Sequence, residues 1–222
     1  MIHSSNKKII VLPPQVVLKG SCKRFTKPEQ ALKEVQDIVH NSKITSVVYN
    51  SAITALSELG YQPVSITDNN KTYPETISLL TDSLEKDVKV YIQEHHIDRD
   101  FGPKDDAMNL NENFGKNVVK LGNYFNADLI LGIRYGSLFY IKQSVNATEM
   151  IFSGLLGVDK SEKYSCYIVL IDAKTGNVVY SDVLHDDRGF AAEENLLKPN
   201  YHQQIDKLLK LVIPPANEIT KN

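Results

Sequence analysis

The sequence predicts an α/β fold: a mixed sheet with helices packed on it, in the order β-α-α-β-α-α-β-β-β-α, ending in a β-hairpin and a C-terminal helix. Three observations carry this. Short β-branched apolar runs in the first half are separated by stretches whose apolar residues recur at helical spacing. The last two runs face each other across a four-residue turn, which reads as a hairpin. Strands separated by helices combined with strands joined directly make a layered α/β arrangement on a mixed sheet. No linker divides the helices, so residues 9–213 are expected to form one domain, with flexible ends at 1–8 and 214–222.

Each element follows in order. "IIVLPPQVVL" from Ile9 to Leu18 is a buried strand in which Pro13-Pro14 force a bend, a bulge or an exposed edge. "TKPE" at Thr26 to Glu29 is a capping box opening a helix with Leu32, Val35 and Val39 at helical spacing. A second helix carries Val48, Ala52, Ala55, Leu56 and Leu59 and stops at Gly60. "YQPVSIT" is a short strand, and "TYPE" at Thr72 to Glu75 opens a helix with Ile77, Leu80, Leu84, Val88 and Ile92 on one stripe. Phe114, Val118, Leu121 and Phe125 mark the next helix, and Asn126 is placed to end it in a left-handed conformation. Gly115 and Gly122, seven residues apart, are expected to share a helix face and permit close packing. "DLILGIRYGSLFYI" is a long strand. "YSCYIVLIDA" and "VVYSDVL" are the hairpin strands, turning at Lys174-Thr175-Gly176-Asn177 with Gly176 free to take positive φ. The tail helix holds Ile205, Leu208, Leu209 and Val212 and is stopped by Pro214-Pro215.

Composition narrows the function classes. The chain has 222 residues, 42% hydrophobic and 23% charged, enough to build a core without a disulfide or a metal. A net charge of -2 gives no basic field for nucleic acid. The apolar run Ile9–Leu12 is too short for a signal-peptide core, and no run reaches the ~20 residues of a spanning helix, so the chain is expected to be soluble. Cys22 and Cys166 form no C-x-x-C motif and read as idle thiols, with a single disulfide the minority reading. There is no G-x-S-x-G elbow, P-loop or H-E-x-x-H motif, and no cofactor is expected.

Two polar clusters invite a chemical reading. "HHIDRDFGPKDD" brings His95, His96, Asp98, Asp100, Asp105 and Asp106 close in sequence, types that ligate metals. The pattern fails as an EF-hand, because Gly102 comes one residue early and position twelve is Asn109. Its plainer reading is a solvated loop after a helix end. "HDDRGF" holds His185, Asp186, Asp187 and Arg188, where a strand ends and turns at Gly189. "MIFSGLLGV" is apolar, interrupted by glycine and set between two strands, too short to span a membrane. It makes Met150, Ile151, Phe152, Leu155 and Leu156 the candidate protein-interface residues, against the plainer reading of a segment tucked onto its own domain.

Four stretches together resemble a known group. "KKIIVLPPQ", "LSELGYQPVSI", "FNADLILGIRYG" and "LIDAKTGNVVYSD" occur in the order of the motifs of periplasmic lipoprotein domains related to the TolB N-terminal domain and the curli-secretion lipoprotein CsgG, with a similarity also to a smaller branch of outer-membrane lipoproteins. The resemblance spans residues 8 to 184. The chain departs from the group in having no lipobox cysteine at its start and no Trp in Val178-Val179-Tyr180. The resemblance implies a non-enzymatic periplasmic protein, or an outer-membrane lipoprotein held only by a lipid anchor not present in this chain. It implies assembly as a homo-oligomer or with other envelope proteins, and it carries over no catalytic residue, cofactor or metal. Two other readings stand beside it. One is a metal-dependent hydrolase using the His95–Asp106 loop and His185. The other is a small-ligand-binding module lined by Tyr135 and Tyr140.

Overall fold

The computed structural model describes residues 7–22, 42–66, 73–96, 112–141, 163–186 and 200–219. The expected helix around Leu32, Val35 and Val39 lies outside them. The elements are β1 (Lys8–Val11), β2 (Gln15–Cys22), α1 (Ser42–Glu58), β3 (Gln62–Ser65), α2 (Glu75–His96), α3 (Lys116–Phe125), β4 (Leu129–Ile141), β5 (Lys163–Asp172), β6 (Val178–Asp186) and α4 (Asn200–Val212). The strands form one mixed sheet in the order β3-β1-β4-β5-β6, with β2 also on β4. Strands separated by helices run parallel, and β4, β5 and β6 run antiparallel. The α/β class and the mixed sheet thus follow the sequence reading.

The double proline resolves into a bulge. β1 pairs with β4 as far as Val11↔Leu131, and β2 resumes on the same edge of β4 at Gln15↔Arg134. Leu12, Pro13 and Pro14 stand opposite only Gly132 and Ile133. One long strand is therefore broken where two residues without N–H cannot join a ladder. β3 ends opposite Val11, so β2 continues past it.

Both faces of the sheet are covered. On one, Ile9, Val11, Leu129, Leu131, Ile133, Tyr135, Cys166, Ile168 and Leu170 meet Val48, Ala52, Ala55 and Leu56 of α1 and Ile205, Leu208, Leu209 and Val212 of α4. On the other, Ile10, Ile130, Tyr167, Val169 and Ile171 meet Ile77, Leu84, Val88, Tyr91 and Ile92 of α2 and Val118 and Leu121 of α3. Odd and even residues of β4 and β5 go to opposite layers, as the period of two demands. In the described helices the predicted stripes are the ones turned to the core, with Leu59, Leu80, Phe114 and Phe125 half-buried at their margins.

Helix ends follow their sequence signals. Gly60 has φ +87° after α1, and Asn126 takes φ 49°, ψ 51° after α3, donating its N–H to the Asn123 carbonyl. Gly115 corrects the sequence reading: it precedes α3 with φ +75° and shares no helix face with Gly122. Gly122 alone provides the close approach, since a Cβ there would lie 2.4 Å from the Ala173 carbonyl oxygen. Beyond α4, Tyr61 Oη donates to the Pro214 carbonyl at 2.8 Å and Ala216 N–H to that of Leu59 at 3.1 Å.

Gly132 sets the depth of α2. A Cβ at Gly132 would stand 2.5 Å from Val88 Cγ1 and 3.0 Å from Val169 Cγ1. Gly132→Ala is expected to destabilise the fold by about 1–3 kcal/mol through overpacking. Adding Val88→Ala should recover part of that cost. Urea unfolding of the two single variants and the double variant reads the coupling, and strictly additive effects would show that Val88 is not the obstacle.

Candidate functional site

The hairpin that dominates the sequence motif is structural. Asp172 Oδ1 accepts from the N–H groups of Lys174 (2.8 Å) and Thr175 (2.9 Å), and Gly176, at φ +81°, donates its N–H to the Asp172 carbonyl. Those bonds are an Asx turn, the reason Asp, Thr and Gly recur at this spacing. The turn then holds the chain before α3: Phe114 N–H donates to the Gly176 carbonyl, and Val178 N–H to that of Glu112. Lys174 Nζ lies 2.8 Å from Asp128 Oδ1, and that hydrogen bond raises the Lys174 pKa. Both side chains are exposed, and Asp172, Lys174 and Gly176 of the motif are engaged in contacts that hold the turn.

A different set of polar groups is buried beneath α2. Register places Gln15 of β2, Arg134 of β4 and Tyr167 of β5 side by side in one row. Two residues along β5, Ser165 stands opposite Gly136. Arg134 keeps only 9% of its surface exposed, Ser165 2% and Tyr167 1%. Gln15 Nε2 donates to the main-chain carbonyl of Glu85 on α2 at 3.1 Å. Burial lowers the Arg134 pKa, and Tyr167 beside it acts in the opposite sense. Burial raises the Tyr167 phenol, while Ser165 and then Arg134 pull it back. Ser165 is thus near enough to influence Tyr167, but its buried Oγ lies outside hydrogen-bond geometry. Tyr91 of α2 lies near Ser181 of β6, whose Oγ donates to the Ile168 carbonyl at 3.2 Å.

The structure separates the residues singled out from the sequence. Met150, Ile151, Phe152, Leu155 and Leu156 lie outside the described residues, as do Asp98, Asp100, Asp105 and Asp106. His95 and His96 close α2, and His185 occupies β6 opposite Ser165. No group of three or more His, Cys, Asp or Glu among the described residues could hold a metal. Tyr135 packs between α1, α4 and the sheet, on the face opposite Arg134, and Tyr140 lies further along β4. Cys166 is a free, fully buried thiol that burial pushes up to about 12, which makes it inert. The Arg134 row escaped the sequence reading. Its signal was one arginine inside an apolar run long enough to be buried on both faces.

No model of a protein family matches the chain, and no curated protein matches it in sequence. Solved structures do align with it. The chain is similar to lipoprotein GNA1162 from Neisseria meningitidis at 12% identity and a TM-score of 0.39, covering 93% of this chain and 97% of that one. It is similar to the hypothetical protein CT253 from Chlamydia trachomatis at 8% identity and a TM-score of 0.40, covering 92% and 94%. It aligns with the LpoB C-terminal domain from Salmonella enterica at 10% identity and a TM-score of 0.26, covering 82% and 83%.

Glu85, on the helix above the row, gives this region a pH signature. Burial, and then Asp82, raise its carboxyl from the ordinary 4.5 to about 7. The folded state thus holds a proton that the unfolded chain releases between those values. That contribution to stability is full below about pH 4.5 and is lost as pH rises to about 7. Glu85→Gln should therefore gain stability relative to the wild type as pH rises from 4.5 to 7. Urea midpoints of both proteins across this range test it, and a constant difference would remove Glu85 as the cause.

Proposed function

We propose that this is a non-enzymatic cell-envelope domain, periplasmic and akin to the TolB-N and CsgG group of lipoproteins, that works by protein–protein assembly through Met150, Ile151, Phe152, Leu155 and Leu156. One observation supports it above others. β4 and β5 are adjacent antiparallel strands in continuous register from Leu129↔Asp172 to Leu138↔Lys163, yet residues 142–162 separate them. Antiparallel neighbours usually close through about 2–5 residues. Twenty-one residues with an apolar centre are far more than closure requires. Extra length on a rigid scaffold is where domains place their contacts. Large apolar side chains at such a position favour a partner surface over exposure to water.

No helix among the described residues is long and apolar enough to cross a membrane. The occupant of the contact is a second copy of the chain or another envelope protein.

Light scattering over a range of protein concentrations tests the self-assembly arm. The wild type should form concentration-dependent oligomers, and Phe152→Asp or Leu155→Asp should be monomeric with an unchanged thermal midpoint. A wild type that is monomeric throughout, and that cross-links to nothing in envelope fractions, would sink the reading. So would oligomers that survive both substitutions.

A further inference from the structure

We propose that the row centred on Arg134 is a binding site for a small oxyanion, a carboxylate or phosphate group. A guanidinium carries five N–H donors and a permanent charge, so its burial calls for an acceptor of opposite sign. Arg134 is nine-tenths buried, and no acceptor among the described residues takes the hydrogens of its buried Nη1. Ser165 Oγ, on the same face and equally buried, also has no hydrogen-bond partner among them. The neighbouring Tyr167 adds a third hydroxyl-bearing or cationic side chain from the adjoining register position. Gly136, opposite Ser165 on that face, carries no side chain.

The chemistry of the set selects the ligand. The Arg134 guanidinium and the Ser165 hydroxyl supply N–H and O–H donors, the complement of an oxyanion and the wrong set for a cation. Gln15 spends its amide nitrogen on the Glu85 carbonyl, which ties the row to α2. Glu85 is a poor counter-ion: burial and Asp82 favour its neutral form, and Arg134 is not among the charges that act on it. This site lies on the face away from Tyr135 and does not depend on the Met150–Leu156 contact.

The test is thermal unfolding of the full chain in chloride, phosphate and acetate at matched ionic strength, for the wild type and Arg134→Met, with calorimetric titration of inorganic phosphate. Phosphate or acetate should raise the wild-type midpoint by about 2–4 °C near saturation, and the larger rise identifies the preferred group. Arg134→Met should lose this response and be at least as stable as the wild type in chloride, because an apolar side chain replaces an uncompensated charge. A wild type indifferent to all three anions overturns the proposal. A folded but strongly destabilised Arg134→Met also overturns it, because an acid of the chain itself would then be the partner. If Arg134→Met does not fold, Ser165→Ala decides: phosphate affinity should fall roughly fivefold, and unchanged affinity overturns the site.

Discussion

Burial of β4 on both faces is the constraint from which the rest of the structure follows. Its odd residues must satisfy the α1–α4 layer and its even residues the α2–α3 layer, while β1 and β2 share one edge and β5 takes the other. From Leu129 to Gly136 no position faces water, so each residue choice there has a visible cause. Leu129, Leu131 and Ile133 fill one layer. On the other, Ile130 fills space, Gly132 yields it to Val88, and Arg134 introduces charge. An arginine in such a place is costly unless something answers it, which is why the anion site and the sheet architecture belong to one argument.

The two helical layers are held differently. On the α1–α4 side, Lys210 joins the helices by reaching both Glu58 and Asp206, and the chain after α4 returns to the end of α1 through Tyr61 and Pro214. On the α2–α3 side the contacts are aromatic and close: Tyr91 meets Phe114 edge to face, and Gly122 admits Ala173 against the helix backbone. The D-x-x-T-G hairpin serves this second layer, since its turn clips the residues leading into α3. A motif that looks functional by its regularity is here a fastening.

Most of the scaffold was legible because its signals are local. The stripe Ile77, Leu84, Val88, Ile92 reports a buried helix face, Asn126 a left-handed end, and Gly176 a hairpin turn, each through the geometry of a few neighbouring residues. What could not be read depends on pairs distant in sequence. Gly115 and Gly122 share a helical interval, yet Gly115 lies before the helix because its positive φ serves the hairpin contact at Gly176. The row of Gln15, Arg134 and Tyr167 exists only through the register of three strands, and no spacing within one segment reveals it. Arg134 itself could have been flagged, since a charge within an apolar run contradicts its surroundings. The apolar character of Met150–Leu156 was plain, whereas its position between two adjacent strands required the pairing of β4 with β5.

The break between β1 and β2 makes the number of residues there a matter of parity. Ile9 and Val11 face the α1–α4 layer and Ile10 and Leu12 the other, yet after the bulge Gln15 faces α2 and Val16 the α1–α4 side. An unbroken strand would have sent Gln15 and Val16 the opposite way. Without the surplus residue held in the bulge, Pro14 would stand opposite Arg134, and Gln15 would stand opposite Tyr135 on the α1–α4 side. The bend thus decides which of two buried layers receives Gln15.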